Sequence, residues 1–284
     1  MSVERPRVSR SESLYQQVAR NIRNDIAAGV LRDGQPLPTT RDLAEQWGVS
    51  VFTITEAMKL LAEEGLVVNK PRAGRVINAP DQVRRNEIRT STPHVVLIGG
   101  YAGSGKTELG RILARETGWP MLDKDTLTRP VVEAALEVIG YSPHDRESET
   151  YLTIIRPREY EALTSAMTEN VQCGNSAIVT APFVLELRDM AWIARLQATC
   201  QDMNATLDIV WVYCDAATMH TYVRHRGAAR DAGKLEDWPA YLATIDLDFR
   251  PPVPHTVVDN SASGAPLQMQ ARKLLTAVVS SGAH

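Results

Sequence analysis

GGYAGSGKTELG, residues 99–110, follows the apolar run HVVLI at residues 94–98 and passes into the helix-like stretch ELGRILARETG. Gly100, Gly105, Lys106 and Thr107 satisfy the spacing G-x-x-x-x-G-K-[ST], the Walker A pattern. A strand before it and a helix after it give that spacing a physical sense. Glycines let backbone N–H groups turn toward phosphate oxygens, and a helix N-terminus favours negative charge. Lys106 reaches the β and γ oxygens, and Thr107 can hold magnesium. The expected nucleotide contacts are Gly100, Tyr101, Ala102, Gly103, Ser104, Gly105, Lys106, Thr107 and Glu108, with ATP or another nucleoside triphosphate and Mg2+ as the bound group.

Downstream, HVVLIGG, WPMLD, SAIVTAPF, LDIVWVYCD and HTVVDN read as five strands with helix-like segments between them. Near-continuous apolar strands alternating with helices predict an α/β domain, a parallel five-stranded sheet covered by helices on both faces. Leu122-Asp123-Lys124-Asp125 sets two carboxylates at the C-terminal end of the second strand, the edge where ligands bind in such sheets. The third strand ends without an aspartate, so Asp123 and Asp125 are the obvious acidic partners for a metal, with Thr107 and Asp123 as the magnesium pair. A solvated pair of charges is the alternative. Farther on, Arg224, Arg226 and Arg230 surround Gly227. That spacing suits a mobile arginine-bearing lid, with an exposed basic turn as the alternative.

From about His94 onward these features resemble the AAA_33-like P-loop kinases, a broad group that includes zeta toxins, chloramphenicol phosphotransferase and gluconate kinase. The resemblance rests on the Walker A loop, the Asp-x-Asp after strand two, the R-G-A-A-R-D stretch and the late strand HTVVDN. It implies nucleotide binding more firmly than any one reaction. In a kinase, Asp123 or Asp125 accepts the proton of a substrate hydroxyl, and Arg226 or Arg230 clamps the transferring phosphoryl group. Arg224, Asn260 and Ser261 join the nucleotide set, the last two because residues there often lie near the adenine. Glu147–Asn170, with Tyr151, Arg156, Arg158 and Tyr160, falls where a substrate-facing insert belongs; plain packing is equally open.

Upstream, Leu14, Val18, Ile22 and Ile26 recur every four residues in a helix that stops at Gly29. TTRDLAEQWG predicts a short second helix with Leu43, Ala44 and Trp47 inward, closed by Gly48. Ser50 caps a third, with Ile54, Ala57, Met58 and Leu61 inward and Gly65 as its stop. Two short helices joined by Gly48-Val49-Ser50 are a helix-turn-helix, and Leu66–Val68 with Arg75–Ile77 make a winged hairpin. This segment resembles the winged-helix domain of the GntR family of bacterial repressors, through Gly29-Val30-Leu31-Arg32-Asp33-Gly34-Gln35-Pro36-Leu37-Pro38, Arg41-Asp42-Leu43-Ala44, Gly48-Val49-Ser50 and Glu64-Gly65-Leu66. The resemblance implies that the third helix enters the major groove of double-stranded DNA and that a dimer reads a palindromic operator. Family members often carry arginines early in that helix, where this chain has Val51, Phe52 and Thr55. Readout is then expected from Thr39, Thr40, Arg41, Ser50, Thr53, Thr55 and Lys59, with Val51 and Phe52 against thymine methyls. Lys70, Arg72, Gly74 and Arg75 of the wing reach phosphates or the minor groove.

The 284 residues thus divide into a winged helix at 10–79, a polar connection at 80–93 and a P-loop domain at 94–284. Residues 1–90 hold 14 Lys and Arg against 11 Asp and Glu, while the rest holds 17 against 23, so the basic excess sits where DNA is expected. No apolar run approaches the roughly 18 residues of a membrane span, and the N-terminus lacks the apolar core of a secretion signal, so a cytoplasmic protein without membrane contact is expected. Cys173, Cys200 and Cys214 read as buried, reduced thiols. Scattered histidines argue against a histidine-built metal site. The favoured function is a transcriptional regulator, a homodimer, with ATP and Mg2+ as effector. A small-molecule kinase that senses its substrate or regulates its own gene is the alternative, and a winged helix used for protein contact alone is the third reading.

Overall fold

The computed structural model describes residues 13–71, 73–79, 90–227 and 231–281, without the side chains of Arg226, Ala232 and residues 279–281. They form two compact units, the first holding the described residues up to Ala79 together with Ala262–Gly264 and the second the rest from Thr90 on.

In the N-terminal unit α1 (Leu14–Ala27), α2 (Thr40–Trp47) and α3 (Val51–Glu63) start where the sequence supplies caps. Ser13 and Gln16 exchange hydrogen bonds at α1, Thr39 and Asp42 do so at α2, and Ser50 Oγ accepts the Thr53 N–H at 3.1 Å. Gly48, at φ 61°, makes the left-handed turn out of α2. Val18, Ile22, Ile26, Leu43, Ala44, Trp47, Ile54, Ala57, Met58 and Leu61 meet in one core. Leu14, expected on the inward face, is 55 % exposed, because the first turn of α1 precedes the stretch that α3 covers. The wing pairs β1 (Val67–Lys70) with β2 (Gly74–Ile77) antiparallel, Val67 opposite Ile77 and Lys70 opposite Gly74. The first strand therefore runs two residues nearer the turn than the sequence suggested.

The second unit is a sheet of β3 (His94–Gly99), β4 (Met121–Asp123), β5 (Ala177–Thr180), β6 (Thr206–Tyr213) and β7 (Thr256–Asp259). All pairs are parallel and the order is β4-β5-β3-β6-β7. Its helices are α4 (Lys106–Thr117), α5 (Lys124–Val138), α6 (Arg156–Gln172), α7 (Met190–Asp202), α8 (Ala216–Arg226), α9 (Ala232–Glu236), α10 (Trp238–Ala243) and α11 (Leu267–Ser281). Alternate residues of β3 serve opposite faces. Val95 and Leu97 pack with Leu163 and Met167 of α6 and Ile193 and Leu196 of α7, while α4 and α11 meet on the other side. The connection from β3 runs to β4 on one side and that from β5 runs to β6 on the other, so the crevice between the C-terminal ends of β3 and β5 is the topological switch point at which such sheets bind ligands.

Among the described residues no helix is long and apolar enough to cross a membrane. Cys200 and Cys214 are buried as expected, but Cys173 is exposed: it caps α6 beyond the edge of the core. Leu97 is fully buried at the centre of the sheet. Leu97→Ala should therefore cost about 2–5 kcal/mol of stability in urea denaturation; a loss below about 1 kcal/mol would mean the centre of this sheet is not close-packed.

Candidate functional site

The loop after β3 turns through Gly100, Gly103 and Gly105, all at positive φ. All three have neighbours that forbid a side chain, Gly100 because a Cβ would stand 2.5 Å from the Val212 carbonyl oxygen. A Cβ on Gly103 would stand 2.6 Å from Val223 Cγ2 in α8, and one on Gly105 would collide with the Asn260 side-chain amide. That amide, almost fully buried, donates to the Ser104 carbonyl at 3.0 Å and so fastens the loop to the end of β7. Ser261 is equally buried and its Oγ accepts the Asp215 N–H, just before α8. The side chains of Asn260 and Ser261 thus serve the protein interior. Tyr101 also points inward: its ring meets Trp211 edge-on and its hydroxyl accepts the Asp246 N–H. What the loop offers at Tyr101 is backbone. Lys106 Nζ donates to the Tyr101 carbonyl at 2.7 Å, and Glu108 is half-buried in the first turn of α4.

Beside the loop, Asp123 is held from both sides. Its Oδ1 accepts the Thr126 N–H at 2.9 Å and the Thr126 hydroxyl at 3.1 Å, capping α5. Its Oδ2 accepts the Thr180 hydroxyl at 2.7 Å and the Thr107 hydroxyl at 3.4 Å. The structure therefore brings together Thr107 and Asp123, the residues expected to hold magnesium. It adds Thr180, a residue that sequence reasoning passes over, since a hydroxyl at a strand end carries no titration or motif signal. The signal lay in register, for Asp123 and Thr180 pair across β4 and β5.

Asp125 makes an ion pair with Lys124 at 3.0 Å. Lys124 is buried and also donates to Glu159 at 2.7 Å; Glu159 in turn accepts from Thr128 at 2.8 Å and Tyr151 at 2.7 Å. Burial, then the bond to Glu159, raises the Tyr151 pKa well above the usual phenol value, so this hydroxyl stays a donor. Lys124 and Glu159 were also missed, being ordinary charges until folding buries them together. Arg156 and Tyr160 belong to the same region, with the guanidinium 4.4 Å over the ring, whereas Arg158 is an exposed partner of Glu161. Arg224 is exposed on α8; the Arg226 side chain and Arg230 lie outside the described residues.

In the N-terminal unit Thr39, Arg41, Ser50, Val51, Phe52, Thr55, Lys59, Lys70 and Gly74 are exposed, and Thr40, Thr53 and Arg75 half-buried. Phe52 is 72 % exposed at the start of α3. Arg75 of the wing donates to the Thr40 hydroxyl at 2.8 Å, tying the hairpin to the start of α2. Arg72 lies outside the described residues.

Residues 14–77 match the family model of bacterial regulatory proteins of the gntR family, and residues 95–247 match the AAA domain model AAA_33, which takes in more than half of the chain. The chain belongs to the AAA_33 family. Ahead of its AAA_33 domain it carries a GntR-type helix-turn-helix domain. The HTH-type transcriptional regulator GgaR of Escherichia coli (strain K12) is 38 % identical over 86 residues, 30 % of this chain and 35 % of that protein. A shikimate kinase of Moorella thermoacetica is 33 % identical over 104 residues, 37 % of this chain and 57 % of the kinase. The chain thus spans about a third of the regulator and somewhat over half of the kinase. Among solved structures, a putative kinase from Chloroflexus aurantiacus is 20 % identical, with 66 % of this chain and 98 % of that one covered and a TM-score of 0.47.

Thr180→Val keeps the shape of the strand end and removes its hydroxyl, so Asp123 loses its shortest hydrogen bond. Magnesium-dependent nucleotide affinity should fall by about tenfold, measured by calorimetry with and without Mg2+; unchanged affinity would remove Thr180 from the site. His225 on α8 tests this part of the domain by another route. Burial lowers its pKa from 6.5 to about 4, so the folded state holds it neutral where the unfolded chain takes up a proton. Its contribution to stability is present above pH 6.5 and lost as pH falls through about 4. His225→Gln should flatten the stability profile across that window, and an unaltered slope would show that His225 titrates normally.

Proposed function

We propose that this chain is a DNA-binding transcriptional regulator whose AAA_33 domain holds Mg-ATP, or another nucleoside triphosphate, as its effector. The observation that carries it is the joining, in one chain, of an exposed α3 face to a P-loop beside which Thr107 and Asp123 meet. Val51, Phe52, Thr55 and Lys59 offer that face to the major groove, with Ser50 and Thr53 at its N-terminal end.

Glycine at 100, 103 and 105, all at positive φ and packed against the domain where side chains would clash, supports a loop that presents backbone to phosphate. The loop amides from Gly100 to Thr107 would hold phosphate oxygens at the start of α4, and Lys106 would exchange the Tyr101 carbonyl for the outer phosphates. Thr107 and Asp123 would hold magnesium, the carboxylate through water, which suits a cation bound by few protein oxygens besides phosphate. Magnesium bound there supplies positive charge against the phosphate oxygens. Regulation then follows from linkage: a nucleotide that binds two states of the regulator unequally shifts operator affinity, and the operator shifts nucleotide affinity by the same factor. A homodimer on a two-fold operator, in the cytoplasm, belongs to this proposal.

A specific observation also favours a phosphotransferase. Asp125, paired with Lys124, lies two residues beyond Asp123, which supports a division in which Asp123 would serve the magnesium side and Asp125 would take the proton of an acceptor hydroxyl. Arg226 and Arg230 remain candidates for neutralising the transferred phosphoryl group. The similarity to a shikimate kinase supports this version, in which the regulator also phosphorylates the small molecule it senses.

The test is fluorescence anisotropy on DNA from upstream of the chain's own gene, at fixed salt, with Mg-ATP and with a non-hydrolysable analogue. Both should change DNA affinity by about fivefold or more in the native protein. In Lys106→Ala the DNA affinity without nucleotide should persist and the response vanish. A response that survives in Lys106→Ala would contradict the proposal.

A further inference from the structure

The polar side chains beyond β4 and β5 are already paired among themselves, and the manner of pairing restricts what else fits there. Arg156, 16 % exposed at the start of α6, clasps Glu186 through both terminal nitrogens, at 2.7 Å and 2.9 Å. The Tyr160 ring covers the guanidinium, and Glu186 is itself 8 % exposed. This is the two-point geometry with which arginine otherwise recognises a carboxylate or phosphate, filled here by the protein's own carboxylate.

Glu186 is not placed to withdraw. It follows β5 in a turn whose Pro182 carbonyl accepts the Gly100 N–H at 3.0 Å. Phe183, the next residue, is fully buried at φ 50°, a conformation costly for a bulky side chain and held by the packing around it. Its N–H donates to the Tyr160 hydroxyl at 3.4 Å, so the turn and the arginine's cover are joined.

The pair continues the network around Asp125. Tyr151 feels the charge of Arg156 and donates to Glu159; Glu159 accepts from Lys124, and Lys124 pairs with Asp125. Across this run the four acids Asp123, Asp125, Glu159 and Glu186 stand against Lys124, Arg156 and Arg146, which lies over the Tyr151 ring, so acid outnumbers base by one. Ionised carboxylates only accept hydrogen bonds, with roughly four lone-pair sites each, and their natural complement is an O–H donor.

We infer that the edge of the sheet beyond β4 and β5 takes a hydroxyl-rich small molecule bearing no carboxylate or phosphate of its own: a polyol, a sugar or a nucleoside. The inference rests on the reading of the AAA_33 domain as a nucleotide binder with a small molecule beside the nucleotide. An acidic ligand has to displace Glu186 from Arg156, stranding a buried carboxylate, or bind against the acidic excess.

The experiment is thermal unfolding and equilibrium binding on the full chain with Mg2+ and a non-hydrolysable ATP analogue, using matched probes. D-glucitol against D-gluconate and D-ribose against D-ribose 5-phosphate differ only in the acidic group. The native protein should not prefer the acidic member of either pair. Glu186→Gln frees Arg156 and should gain about tenfold or more in affinity for D-gluconate, a gain lost again in the double variant Glu186→Gln/Arg156→Gln. Tighter binding of the acidic members by the native protein would overturn the inference. So would a Glu186→Gln protein that the nucleotide still stabilises but that gains nothing for D-gluconate. Should Glu186→Gln not fold, the matched pairs on the native protein decide. Failure of the nucleotide analogue to stabilise the native protein would instead defeat the nucleotide reading itself.

Discussion

The hydrogen bond from the buried Asn260 amide to the Ser104 carbonyl joins residues 156 positions apart, and the phosphate loop depends on it. Together with the Tyr101 ring against Trp211, it fixes a stretch of glycine-rich backbone. Gly105 is the other half of the arrangement, since any side chain there would occupy the place of the Asn260 amide. Loss of either partner would leave a buried polar group unsatisfied, at a cost of about 1–3 kcal/mol. The cost of ordering the loop is therefore met by the fold before any ligand arrives, which is what preorganised recognition of phosphate requires.

The acidic side of the site follows the same rule of fixing groups through neighbours. Asp123 caps α5 with one oxygen and gathers the Thr107 and Thr180 hydroxyls on the other, so three elements meet on one carboxylate. Asp125 is set by Lys124, and Lys124 by Glu159. Two acids of the same type, two residues apart, so acquire different surroundings: one tied to hydroxyls beside the phosphate loop, the other to a buried ammonium beside the Arg156–Glu186 pair.

Sequence revealed most where structure is local. The caps of α2 and α3, the inward faces of the first three helices and the five apolar strands all follow from periodicity and from residues a few positions apart. The phosphate loop was legible because its chemistry is carried by contiguous residues. Thr180, Lys124, Glu159 and Glu186 were not, because each acquires its meaning from a partner brought near by sheet register or by the turn after β5. Leu14 and Cys173 failed for a related reason: a helical period places a residue on a face but does not say how far the core extends along it. Tyr101, Asn260 and Ser261 stand in the expected neighbourhood with their side chains turned inward, a direction that spacing alone does not give.

The most direct measurement is calorimetric titration of a non-hydrolysable ATP analogue into the full chain, in the presence and absence of Mg2+. A loop fastened as this one is, beside a carboxylate and hydroxyl pair, predicts a single saturable site that tightens when the metal is present. No binding at millimolar analogue, with the protein shown to be folded, would contradict the account at its centre.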